Sequence, residues 1–179
     1  KLLKNGLRSN SMMQSDNRNL KSSILSMILI AGTIFILDQL TNSLIVREFY
    51  LGQISEIMSF FNLVHVRNYG AAFSFLSDAG GWQRWFLTGV SGVASIVMIY
   101  WINFAKDEKV IEKLSLMIIL GGALGNFYDR LVLGYVIDFL DFHWSGTHFP
   151  AFNIADMAIT IGAVLFIMDN LFLSSKKGS

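Results

Sequence analysis

The hydrophobic residues of this chain gather into four long runs. Residues 23–37 carry no charge, and Asp38, Gln39, Leu40 and Thr41 complete the last turn of that segment. Residues 85–104 are uncharged throughout. Residues 114–128 are apolar up to Asp129 and Arg130, after which Leu131, Val132 and Leu133 resume the run. Residues 156–173 are apolar apart from Asp156 and Asp169. About 20 mostly apolar residues cross the ~30 Å hydrocarbon layer of a bilayer as a helix, so the pattern predicts four membrane spans. The first run has the look of a signal-peptide core, but three more spans follow it, and it is read as retained.

Two stretches between the runs, residues 43–84 and 134–154, are read as loops on one side of the membrane. Phe60 to Val66 partly alternates as a strand does, and Asn68-Tyr69-Gly70 reads as a turn. The fold expected is mainly α: a polytopic four-helix transmembrane protein with a small β-rich extracytoplasmic cap on the outer leaflet, too small to fold alone. Residues 1–20 are polar and aperiodic and are read as an N-terminal tail. Its first eleven residues are expected to be foreign to the natural chain, with Met12 or Met13 as the natural start. Residues 21–175 then form a single membrane domain.

Composition agrees. The chain has 179 residues, 53% hydrophobic and only 15% charged, where a soluble domain carries about 25% charge. The absence of cysteine excludes disulfides, thiolate catalysis and thiolate metal sites. A single proline excludes a proline-rich linker protein, and a net charge of +1 gives no signal for nucleic acid. Basic residues set the orientation. Lys1, Lys4, Arg8, Arg18 and Lys21 precede the first span, Lys106, Lys109 and Lys113 lie between the second and third, and Lys176 and Lys177 follow the fourth. The opposite side holds Arg47, Arg67, Arg84 and Arg130. Both termini are therefore expected in the cytoplasm. Trp82, Trp85, Trp101 and Trp144 fall near helix ends, as interfacial aromatics do.

The acids carry the chemistry. A charge at the centre of a span costs at least ~2.5–3.5 kcal/mol on insertion scales, so its default reading is functional. At 1.5 Å rise per residue, Asp38 and Asp129 each lie about 22 Å toward the outer face from the start of their spans. Asp138 follows just past Gly134, and Asp156 opens the fourth span from outside. Four carboxylates thus converge on one level. Asn126 and Asp129 share a three-residue spacing with Asn153 and Asp156, which places amide and carboxylate on one helix face. There an amide orients a carboxylate without adding charge.

These residues also carry a family resemblance. Asp38-Gln39-x-Thr41, Asn68-x-Gly70-Ala71-Ala72-Phe73-Ser74, Gly121-Gly122-Ala123-Leu124-Gly125-Asn126-x-x-Asp129-Arg130, Val136-x-Asp138-Phe139-x-Asp141-Phe142 and Phe149-Pro150-Ala151-Phe152-Asn153-x-Ala155-Asp156 together resemble the motifs of lipoprotein signal peptidase (signal peptidase II). They run in order from about residue 23 to residue 173. Asn42 stands where that family usually has lysine. The resemblance implies a bacterial aspartyl endopeptidase of the cytoplasmic (inner) membrane with its site near the outer leaflet. It implies cleavage of prolipoproteins just before a cysteine that carries a diacylglyceryl group. By motif the catalytic pair falls on Asp138 and Asp156, with Asn68, Asn126, Asp129, Arg130, Asn153 and Asp38 around the pocket. The partners implied are lipid-modified precursors and membrane lipids, for a monomeric enzyme.

The chemistry is self-consistent. Two carboxylates that share a pocket cannot both ionise freely, so the pair holds one proton. No metal or cofactor is expected: His143 and His148 are five residues apart, a poor ligand pair, and His65 is distant. Other positions have plainer readings. Gly121, Gly122 and Gly125 suit helix packing. Asp129 beside Arg130 reads as an ion-paired or positioning carboxylate. Asp141 reads as solvated, and Glu112 and Asp169 as surface charges. Phe60, Phe61, Phe73 and Phe75 suit cap packing and lipid contact. Asp38 is open between helix termination and site support. The competing class is a small carboxylate-lined transporter or ion-conducting protein, but a path needs acids at several depths, and these sit at one. A third class, a non-catalytic lipid-binding assembly factor, would tolerate Asp→Asn changes.

Overall fold

The computed structural model describes residues 2–70, 80–104 and 109–173, with side chains over residues 23–171 of these. Helix α1 spans Leu2–Glu48. Strands β1 (Ile54–Met58) and β2 (Phe61–Asn68) follow, then helices α2 (Trp82–Phe104) and α3 (Val110–Val132). Strands β3 (Val136–Trp144) and β4 (Thr147–His148) lead into α4 (Ile154–Met168), which ends in a π-helical turn, Asp169–Leu173. Four helical segments are long and apolar enough to cross a membrane: Ser23–Glu48, Trp82–Phe104, Val110–Val132 and Ile154–Leu171.

Burial is inverted relative to a soluble protein. Leu25, Ile28, Leu29, Val93 and Ile96 are exposed on the helices, while Asp38, Asn42, Asn126 and Asp129 are buried. This is the pattern suited to a hydrocarbon surrounding, in which polar groups must find partners inside. Helix α3 is central and packs against α1, α2 and α4. Its glycines permit this. A Cβ on Gly121 would stand 2.7 Å from Ile34 Cβ on α1, and one on Gly122 would collide with the backbone oxygen of Ala155 on α4. The packing reading of these glycines holds. Ala31, Ile102, Leu116, Met117 and Leu120 form the apolar centre of the bundle.

The strands form one antiparallel sheet in the order β1-β2-β3-β4. Phe61 pairs with Phe142 and Asn68 with Val136, with an irregularity between Leu63 and Val66. Ile137 and Phe139 pack on Ile45 near the end of α1, which seats the sheet on the bundle. The strand expected at Phe60 to Val66 is β2, and the expected turn is closed by Gly70 N donating to Asn68 Oδ1 at 3.0 Å.

Several expectations are corrected. The first loop begins after Glu48 rather than at residue 43, because no proline or glycine interrupts Thr41 to Glu48. Asp38 therefore lies inside α1 and does not end it. The backbone of the polar stretch before the first span continues the same helix from Leu2. Glu112 is buried and receives Trp101 Nε1 at 3.0 Å together with Lys109 Nζ, so it closes the α2–α3 corner rather than sitting free at the surface. Asp169 is buried in the π-helical turn, which packs on α3. Asp141 is buried and hydrogen-bonded rather than solvated. Phe73, Phe75, the Ala71–Ser74 part of its motif, Lys106, Lys176 and Lys177 lie outside the described residues.

Candidate active site

The site is assembled where α4 begins. Asn153 precedes the helix in extended conformation (φ −128°), and its Oδ1 accepts Asp156 N at 2.9 Å, satisfying one of the free donors of the first turn. The same side chain turns its amide nitrogen to β3, donating to Ile137 O at 3.1 Å and to Asp138 Oδ1 at 3.3 Å. Asn153 thus links the Asp138 carboxylate to the backbone of Asp156. Asn68, at the end of β2, donates to Asp138 Oδ2 at 3.0 Å. Asn126 on α3 donates to Asp156 Oδ1 at 2.8 Å. Each carboxylate is held by amides from neighbouring elements.

Asp38 and Asp129 form a second group between α1 and α3. Gln39 Nε2 donates to Asp38 Oδ2 at 3.1 Å and to Asp129 Oδ1 at 2.9 Å. Asn42 Nδ2 donates to Asp38 Oδ2 at 3.3 Å and to Asp129 Oδ2 at 3.0 Å. Asp38 Oδ1 accepts Ala155 N at 2.9 Å, one residue before Asp156. Gly125 makes room for this, since a Cβ there would stand 2.6 Å from Asp38 Oδ2. Asp38 therefore fixes the first turn of α4 from α1.

Asp138, Asp156, Asn68, Asn126 and Arg130 line one cavity of about 930 Å³, whose other walls include Phe142, Phe149 and Phe152. Arg130 is buried, donates from Nη2 to Gly70 O at 3.0 Å, and acts electrostatically on Asp156, Asp138 and Asp129. Asp138 is 2% exposed. Burial, reinforced by the Asp156 carboxylate, pushes its carboxyl up to about 7, against the opposing pull of the Asn68 amide and the Arg130 guanidinium. At neutral pH such a group exchanges a proton readily while a carboxylate shares its cavity, which is the requirement for acid–base work by two acids. Among the described residues no three histidine, aspartate or glutamate side chains are grouped to hold a metal ion.

The structure brings all eight sequence-nominated residues together, but in two groups. Asp129 makes no ion pair with Arg130 among the described residues; amides from α1 meet it instead. The two Asn-x-x-Asp pieces are not twins. Asn126 crosses to Asp156 rather than orienting Asp129, and Asn153 is a cap outside its helix. Sequence reasoning missed the bridging roles of Gln39 and Asn42. The i+4 spacing of Asn42 from Asp38 on one helix was the available signal for Asn42, whereas the i+1 position of Gln39 gave none.

Four membrane-crossing helices around amide-held acids in a shared cavity define a polytopic membrane enzyme by fold and site. Two solved structures of bacterial membrane enzymes are similar to this chain. One has a TM-score of 0.77 at 32% identity over 87% of this chain and 93% of its own; the other has 0.72 at 34% identity over 83% and 94%. The family described as Signal peptidase (SPase) II matches residues 30–172, and the chain belongs to it. Relatives named lipoprotein signal peptidase include one from Alteromonas mediterranea, 50% identical over 83% of this chain and 81% of the relative. Another, from Shewanella amazonensis, is 47% identical over 88% of this chain and 94% of the relative.

Proposed function

We propose that this protein is a membrane aspartyl endopeptidase that removes signal peptides from diacylglyceryl-modified prolipoproteins, cutting before the lipidated cysteine, with Asp138 and Asp156 as its catalytic pair. The observation that carries this reading is the meeting of the two acids in one cavity, with Asn153 bonded to the Asp138 carboxylate and to the Asp156 backbone. Family membership supports the reaction class and disfavours the transporter reading. In the proposed cycle the ionised acid removes a proton from water as its oxygen attacks the scissile carbonyl carbon. The protonated acid gives its proton to the carbonyl oxygen. Collapse of the resulting diol breaks the C–N bond, and a proton passes to the nitrogen of the departing cysteine. Asn68, Asn126 and Asn153 hold the acids, and Arg130 balances their charge.

The basic residues flanking the spans support a cytoplasmic location for both termini. This orientation puts the sheet and the cavity at the outer leaflet, where acyl chains stay in lipid and water reaches the acids. Incubating the purified protein with a lipidated precursor and with the same precursor bearing an unmodified cysteine tests the reading. The expected result is one cut, immediately before the cysteine, in the lipidated substrate only. Cleavage elsewhere, or none, contradicts it.

A further inference from the structure

Asp141 is a buried acid that the cleavage chemistry does not use. Successive strand residues point to opposite faces, so the three-residue step from Asp138 to Asp141 reverses the side chain. Asp138, Leu140 and Phe142 line the cavity of the acid pair. Asp141 instead lines a second cavity of about 490 Å³ with His148, Val64 and Pro150. There both oxygens of its carboxylate are engaged. Asn62 Nδ2 donates to Oδ2 at 2.8 Å, and His148 Nδ1 lies 2.9 Å from each oxygen. His148 also stacks on His143, with ring centroids 5.0 Å apart.

From His148 the chain turns back along β3 as a short strip. Phe149 N donates to Phe142 O at 2.7 Å, and Phe152 and Leu140 exchange backbone bonds of 3.1 and 2.9 Å. Phe149, Pro150 and Ala151 line both cavities, so the strip is a wall between them. It runs directly into Asn153, which caps α4 and touches Asp138. Strand β4 supplies only two residues of pairing, and the Asp141–His148 contact adds a side-chain tie at the start of the strip to the backbone bonds that follow it. A buried carboxylate must keep its donors, and charge-assisted bonds of this kind are roughly twice as strong as neutral ones.

We propose that Asp141 and His148, steadied by Asn62, form a positioning clamp that fixes the strip Phe149–Phe152 as the wall of the substrate cavity. The clamp rests on the peptidase reading and gives it a determinant of substrate fit. Neither member of the clamp lines the cavity of the acid pair, so its effect falls on binding of the lipid-bearing residue rather than on the chemical step.

Cleavage kinetics of the lipidated precursor test the clamp. The His148 side chain is 51% exposed, so truncation leaves no core void, and melting curves confirm matched folding. His148→Ala is expected to raise KM about tenfold, equivalent to about 1.4 kcal/mol, with kcat nearly unchanged. His148→Asn places an amide nitrogen where Nδ1 stood and is expected to restore KM. An unchanged KM in His148→Ala overturns the clamp, as does a His148→Asn variant as poor as alanine. If wild type itself fails to cleave, the peptidase reading falls and the clamp with it; if wild type cleaves normally, only the clamp is at stake.

Discussion

Asp138 is where sequence, burial and charge converge. Its carboxyl gives up a proton near the ordinary value of 3.8 when unfolded but only at about 7 when folded. Between those values the folded state binds more protons than the unfolded one, so stability falls as pH rises through that window and levels off above it. Thermal unfolding of wild type and Asp138→Asn from pH 4 to pH 8 checks this. The wild type is expected to lose stability relative to the variant across the window, whereas parallel curves contradict a raised carboxyl. Cleavage by the pair is likewise expected to decline above about pH 7, where Asp138 releases the shared proton. The residues that gather at the candidate site were legible because each sits in a dense motif. Their partnerships were not, since Asn126 to Asp156 and Gln39 to Asp129 join different helices, and spacing along one helix says nothing of that.

The helices were legible as runs of apolar residues, and their packing rested on glycines that the sequence displays. What the runs concealed was the extension of α1 through Asn42, Arg47 and Glu48, polar residues that read as loop. Strand β3 was hidden too, because residues on both its faces are buried and Val136 to Phe139 shows no alternation. Asp141 was misjudged for the same reason: its burial depends on β2 and β4, which only the sheet reveals. The glycine stripe makes an element-scale prediction. Gly122→Ala drives a Cβ into the Ala155 backbone, which carries α4 and Asp156. Overpacking of this kind costs about 1–3 kcal/mol. Gly89→Ala on α2 meets nothing within 4 Å and gains helix propensity, so it is expected to be neutral or mildly stabilising. Unfolding measurements in detergent on the two variants compare them, and equal effects contradict the α3–α4 contact.

At the scale of the whole molecule, three helices and a small sheet carry the acids to one end of the bundle, and the apolar surfaces of the spans face outward. The sheet delivers Asp138, α4 delivers Asp156, and α1 braces α4 through Asp38 and Ala155 N. This division predicts different fates for the acids. Asp129, held by amides away from the cavity, is proposed to act through geometry. Asp138 and Asp156 are proposed to handle the proton itself. The most direct measurement is turnover of the lipidated precursor by Asp138→Asn, Asp156→Asn and Asp129→Asn, each with a melting curve and at matched amounts. General acid–base groups contribute about 100- to 10,000-fold. Turnover is expected to drop by at least about 1,000-fold in the first two variants while they remain folded, and to stay measurable in the third. Near-normal turnover by Asp138→Asn, with Asp129→Asn folded and inactive, contradicts the assignment of the catalytic pair.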